Sequence, residues 1–183
     1  MPNILTKDML TEICNKAGTS LDNFNTFIES GTATGWTIDR MQPLFKMLHT
    51  IEVSEKYYKM YVDKNNHDNV ISHLGDSGVV MGQIMKMVKE DEQCIFWLDG
   101  HYSSGDTGKG VKDCPLLEEC RTIDKSYKPN SAILIIDDYR LFGTNITEDW
   151  SEITVENILP CFKTHKIGLL FVHDDALIIQ IYK

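Results

Sequence analysis

No stretch of this 183-residue chain is long enough and apolar enough to span a bilayer. The opening MPNILTKDMLTEICNKAG has neither the apolar core nor the cleavage pattern of a secretory leader. Basic residues are scarce: 18 Lys and Arg stand against 27 Asp and Glu, for a formal net charge of −9. A large nucleic-acid interface needs a basic face to neutralise phosphates, so that partner class is disfavoured. A small anion held by backbone N–H groups is not. The five cysteines (Cys14, Cys94, Cys114, Cys120 and Cys161) are odd in number and show no CxxC spacing. That argues against zinc and disulfide frameworks and for reduced thiols in a cytoplasmic setting. There is no internal repeat, low-complexity tract or linker, and residues 1–183 read as one domain.

Against those absences stand five short apolar runs that each stop at an acid. FNTFIE ends at Glu29, HTIE at Glu52, NVISHLGD at Asp76, CIFWLD at Asp99, and AILIIDD at Asp137 and Asp138. A parallel strand covered by helices on both faces reads as such a run. An acid just past its end lies where open α/β sheets bind ligands. The runs place strands near 24–29, 49–52, 69–74, 94–99 and 131–137. Helical spacing places helices over 5–16, 35–47, from Ser54 as N-cap to Lys64, and 77–89, then from Pro115 with Asp113 as cap, and over 151–159. Between them, HYSSGDTGKGVKD at 101–113 is the longest irregular stretch. The chain closes with KIGLLFV and ALIIQIYK separated only by HDD, too close for a parallel crossover, so they form an antiparallel hairpin. The turn also accounts for His173, Asp174 and Asp175 without a metal. The fold class expected is α/β, a Rossmann-like αβα sandwich on a core from about residue 24.

The segment ESGTATG, Glu29 to Gly35, follows the first strand and opens a helix. It is neither G-x-G-x-x-G nor a phosphate-binding loop with a following Lys-Ser/Thr. Gly31 permits a sharp turn and close approach of a ligand, while Gly35 permits tight packing. An acid before the first glycine repels pyrophosphate and suits a cationic ligand. Glu52, about twenty residues beyond the turn, stands where a carboxylate accepts from ribose hydroxyls. Asp76 is placed to accept from an adenine amino group, to cap the helix at Ser77, or both. Three carboxylates, Asp99, Asp137 and Asp138, end neighbouring strands. Such hard oxygen ligands suit Mg²⁺, Mn²⁺ or Ca²⁺. Without a metal, Asp138 caps a turn and Asp99 serves the cofactor. Tyr139, Arg140 and Phe142 are candidates for an acceptor wall, Arg140 being equally able to pair with an acid. Trp97 and Cys94 read as core.

ESGTATG, IEVS, LGDS and FWLDG in this order, with the terminal hairpin, resemble the class I S-adenosylmethionine-dependent methyltransferases over nearly the whole chain from residue 24. The resemblance implies a seven-stranded sheet with an antiparallel last strand. It implies a cofactor site made of Glu29, Ser30, Gly31, Thr32, Gly35, Glu52, Asp76, Ser77 and Asp99. LDGHY followed by IIDDY is similar to the metal-dependent sugar and glycan O-methyltransferases. That similarity implies Asp99, Asp137 and Asp138 as ligands of Mg²⁺ (or Mn²⁺ or Ca²⁺), Asp137 as base, and a sugar, glycan or other hydroxyl acceptor. His101 stands where that family tends to have an acid, and histidine suits proton transfer near neutral pH. The chain is shorter than typical members, so closure over the substrate falls to the 101–113 loop or to a second subunit, in a homodimer or a larger glycan-assembly protein. Two other readings are a metal-independent methyltransferase on a protein, small-molecule or nucleic-acid group with His101 as base, and a non-catalytic cofactor-binding module.

Overall fold

The structure, a computed structural model, describes residues 4–103 and 107–183. Seven strands form one sheet: β1 Thr26–Ser30, β2 Met47–Glu52, β3 Val70–Leu74, β4 Cys94–Leu98, β5 Ser131–Ile136, β6 Lys166–His173 and β7 Ala176–Tyr182. Their order is β3-β2-β1-β4-β5-β7-β6. The first five run parallel, and β7 pairs antiparallel with both β5 and β6. The expected seven-stranded sheet with a terminal antiparallel hairpin is therefore present, in the Rossmann-like arrangement of methyltransferases.

Strand alternation divides the core between two faces. Ile28, Phe96, Leu98, Leu134 and Ile136 pack with α4 Ser77–Ile84 and α5 Leu116–Ser126. Phe27, Ile95, Trp97, Ile133 and Ile135 pack on the other face with α1 Lys7–Lys16 and α2 Trp36–Met41, joined by Tyr61 of α3 Glu55–Lys64. Trp97 and Cys94 are core residues, and all five cysteines are buried and unbridged. Among the described residues no helix is long and apolar enough to cross a membrane.

Three helices are shorter than their periodicity predicts. The one expected to reach Met47 stops at Met41, and Gln42–Leu44 forms a 3₁₀ turn, because Pro43 has no N–H to continue it. The one expected to reach Lys89 stops at Ile84 and tightens into three-residue turns, Lys86 N–H to Gln83 O and Met87 N–H to Ile84 O. The last, α6, is only Val155–Ile158, started by the Thr154 hydroxyl. Asp113 does not cap α5, which begins without a side-chain cap; its carboxylate instead pairs with Lys109 at 2.6 Å and accepts from Asp149 N–H. Ser54 holds the N-cap position of α3 without a side-chain bond. Residues 104–106 of the expected 101–113 loop lie outside the described residues.

Candidate functional site

The strand order reverses between β1, which leads to β2, and β4 on its other side. Open α/β sheets carry their ligand crevice at the carboxyl ends of such strands. Here the two strand ends nearly touch. Gly31 has φ +88°, and a Cβ on it would lie 2.5 Å from the Asp99 carbonyl oxygen. Only glycine allows both the dihedral and the approach. Gly35, at φ +82°, opens α2, and a Cβ there would meet the Tyr61 ring at 2.3 Å.

A cleft of about 140 Å³ lies at this point. Of the residues expected to bind a cofactor, Gly31, Glu52, Asp76, Ser77 and Asp99 line it; among its described lining residues Glu29, Ser30, Thr32 and Gly35 do not appear. Glu29 lies beneath the turn, 1 % exposed, and its carboxyl accepts from the Thr50 hydroxyl at 2.6 Å, which contacts Thr32 Oγ1 at 2.6 Å. Burial pushes Glu29 well above the usual carboxylate range; the Thr50 hydrogen bond opposes this, and the charges of Asp99, Asp39 and Glu52 add to it. Through Thr50 and Thr32 the Glu29 carboxyl ties β1 to β2 beneath the turn. Glu52 accepts from Ala33 N–H and Ser54 N–H, one on each oxygen at 2.8 Å. It thereby fixes the glycine turn against β2 while remaining on the cleft. Asp76 caps α4 through Gly78 N–H at 3.0 Å, and its second oxygen accepts from Val111 N–H at 3.0 Å. The chain from Thr107 to Pro115 folds over the cleft, with Gly110 against Asp76 and Gly108 against Val53 and Ser54.

On the β4–β5 side the acids gather around an imidazole. His101 Nδ1 lies 3.4 Å from Asp99 Oδ1, and its Nε2 lies 3.4 Å from Asp138 Oδ2 and 3.6 Å from Glu148 Oε2. The Ser103 hydroxyl is 2.9 Å from Nε2. The Trp150 ring meets the imidazole edge-on at 4.9 Å, and Trp150 Nε1 donates to Glu148 at 3.0 Å. Burial lowers the pKa of His101, but the adjoining Asp99 carboxylate, 3.4 Å away, and the charges of Asp138 and Glu148 outweigh it and raise the value above 6.5. Burial raises Asp99, and His101 opposes that rise.

The three aspartates do not converge as one set. Asp99, His101 and Asp138 bring their ligand atoms within 4.8 Å of one another, and among the described residues Asp137 is not part of that group. Asp137 is buried just past β5, with its backbone N–H bonded to Leu98 O at 3.2 Å. Asp138 adopts φ +58°, which turns the chain away from the strand direction. His101 therefore occupies the place in the group that the family resemblance assigns to Asp137. Asp138 also accepts from Arg140 Nη1 at 2.5 Å, and Arg140 bonds Asp175 in the hairpin turn. Asp175 of that turn thus anchors the segment after β5. Phe142 stacks on the buried Trp150 ring at 6.1 Å and meets Tyr139 at a tilt, 5.0 Å away.

Glu148, Trp150 and Glu119 carry no such signal in the sequence. Glu148 and Trp150 sit in a loop away from any strand end. Glu119 lies on the first turn of α5, where an acid reads as an ordinary helix-dipole residue. Only the packing turns it inward.

No protein-family model and no curated protein sequence matches the chain. Solved structures do match in fold. A Streptococcus mutans protein assigned as a methyltransferase, in complex with SAH, superposes with a TM-score of 0.59 at 14 % identity, over 98 % of each chain. An S-adenosylmethionine-dependent methyltransferase from Clostridium acetobutylicum gives 0.55 at 12 % identity, over 96 % of this chain and 89 % of its own. An rRNA methylase from Streptococcus thermophilus gives 0.51 at 13 % identity, over 96 % and 94 %.

Proposed function

We propose that the protein is an S-adenosylmethionine-dependent methyltransferase that methylates a hydroxyl, with His101 as the proton acceptor. The carrying observation is the juxtaposition at the β1–β4 switch point. Gly31 sits against Asp99, Glu52 is fixed on the cleft, and an Asp99–His101 pair opens beside them. A nucleoside with a cationic sulfonium suits this acid-lined crevice. The shared fold with methyltransferases, one of them holding SAH, supports the same cofactor.

The chemistry is a displacement in line. The acceptor oxygen attacks the methyl carbon, the carbon–sulfur bond breaks, and sulfur keeps the electron pair as a neutral thioether. The hydroxyl proton passes to His101 Nε2, taking the place of the Ser103 contact. Asp99 on Nδ1 orients the ring and stabilises the imidazolium that forms, as do Asp138 and Glu148. Holding oxygen and methyl in line is worth up to about 7–11 kcal/mol in well-oriented systems.

A sugar or glycan hydroxyl is the acceptor class we favour, on the LDGHY and IIDDY resemblance. An rRNA methylase shares the fold. A net charge of −9 and the acids Asp138, Glu148 and Asp175 around the site oppose a polyanionic substrate.

A divalent metal is the second reading, favoured by the convergence of Asp99, His101 and Asp138. Two carboxylates and one imidazole fit Mn²⁺ or Zn²⁺ better than the Mg²⁺ that three aspartates imply. Bound there, a metal would supply Lewis-acid activation of the acceptor hydroxyl, and His101 would be a ligand rather than the base. Transfer of labelled methyl to a panel of mono- and oligosaccharides, with and without EDTA, separates the two. Undiminished transfer after chelation supports His101 as base. Loss restored by Mn²⁺ supports the metal, and transfer to RNA alone refutes the acceptor class.

A further inference from the structure

Glu119 is 1 % exposed, and among the described residues its Oε1 has no hydrogen-bond partner. It borders a cavity of about 10 Å³ together with Asp99, Gly100, His101 and Trp150. The nearby hydroxyls of Ser77 and Ser30 favour the ionised form of the carboxyl. The backbone of Gly100 rests on the same two hydroxyls; a Cβ there would be 3.0 Å from Ser30 Oγ and 3.3 Å from Ser77 Oγ. Ser77 and Gly100 also line the cleft above. The carboxyl is thus one side-chain layer below the cleft floor. Helix α5 gains nothing from burying it, since Glu118 beside it already gives the helix N-terminus its acid.

We propose that Glu119 is a positioning residue that reads the charge of the cleft's occupant, favouring the cationic sulfonium over the neutral thioether left after transfer. This rests on the cofactor assignment above and extends it to product release. At this depth little water screens the interaction between the carboxylate and a cation overhead. Burial raises Glu119 to about 7; the hydroxyls of Ser77 and Ser30 oppose the rise, and the charges of Asp76 and Asp99 add to it. Near neutral pH the group is therefore poised between its two states. A sulfonium drives it to ionise and release a proton, and by linkage sulfonium affinity rises with pH. After transfer the thioether lets the proton return, which loosens the product relative to the substrate.

The other titratable groups facing Glu119 are Asp76 at the start of α4, Asp99 and His101 after β4, Cys114 before α5, and Glu118 and Cys120 on α5 itself. Burial pushes both thiols far up, so they stay neutral from pH 6 to 8. His101 does titrate nearby, so the variant must remove the contribution of Glu119 alone.

Calorimetry with S-adenosylmethionine and S-adenosylhomocysteine at pH 6 and pH 8 tests this on the wild type and Glu119→Gln. In the wild type the preference for the sulfonium should grow about fivefold between the two pH values, as a one-unit drop of the Glu119 pKa from about 7 gives across that window. In Glu119→Gln the preference should be smaller and its rise with pH shallower, the remaining slope being that of His101. In the wild type alone, two buffers of different ionisation enthalpy should reveal proton release near pH 7 with the sulfonium and less with the thioether. Ser77→Ala should move that release to higher pH. An equal slope in Glu119→Gln, or equal release with both ligands, overturns the proposal. Binding of neither ligand to the wild type refutes the cofactor reading itself, and this proposal with it.

Discussion

Gly31→Ala tests the site's geometry through a contact that no flexible side chain can relieve. Alanine at φ +88° occupies a left-handed region, at a cost of about 1–2 kcal/mol. Part of that is offset by the lower entropy of the unfolded chain, about 0.4–1 kcal/mol. The added Cβ would also lie 2.5 Å from the Asp99 carbonyl oxygen and 3.0 Å from its carbon, both backbone atoms. Overpacking of that kind adds about 1–3 kcal/mol. Gly18 supplies the internal control, with φ +68° and no atom within 4 Å of where a Cβ would stand. Gly18→Ala should therefore lose about 1 kcal/mol or less, and Gly31→Ala about 2–4 kcal/mol, in urea unfolding followed by tryptophan fluorescence. The strain in Gly31→Ala can relax only by parting the ends of β1 and β4, so cofactor affinity should fall as well. Equal losses in the two variants, with affinity intact, would refute the close approach on which the site is built.

Other outcomes follow from the same geometry. Because His101 is raised above 6.5, it holds a proton at lower pH and accepts one only above its own pKa; kcat/KM should climb with pH through a value above 6.5. His101→Ala should flatten that limb and cost about 10²–10⁴ in rate. Glu52→Ala strips the acceptor from Ala33 N–H and Ser54 N–H and should weaken S-adenosylhomocysteine binding about 10–100-fold by titration calorimetry. Asp124 is a structural counterpart, buried and taking the backbone N–H groups of Lys163, Thr164 and His165. Burial raises it, but those hydrogen bonds outweigh that and bring it to about 2, below its unfolded value, so its contribution is present at neutral pH and lost as pH falls from about 4 through 2. Asp124→Asn should be about 2–3 kcal/mol less stable than wild type at pH 7 and indistinguishable from it near pH 2, by urea unfolding at each pH.

The strands were legible because parallel strands buried on both faces are written as uninterrupted apolar runs, and their ends because each run stops at an acid. The hairpin was legible from chain length alone. Helix ends were less so: the apolar period carries on past Pro43, while the missing N–H stops the helix at Met41. At the site, Glu52, Asp76 and Asp99 line the cleft, whereas Glu29 turns inward to Thr50. Glu29 stands within β1, where successive side chains face opposite ways, and its position in sequence does not reveal which side the ligand takes. The acid group differs for a similar reason. Asp137 and Asp138 are adjacent in sequence, and only the left-handed backbone at Asp138 brings one of them to His101. Glu148 and Trp150 reach His101 from a separate loop, a contact made by tertiary packing that no local pattern encodes.

The central claim is that the crevice between β1 and β4 holds the cofactor. Titration of the wild-type protein with S-adenosylhomocysteine, repeated on Glu52→Ala, tests it most directly. One-site binding to the wild type that is weakened in the variant is the expected result. No binding to the wild type, or binding of equal strength in both, would contradict it.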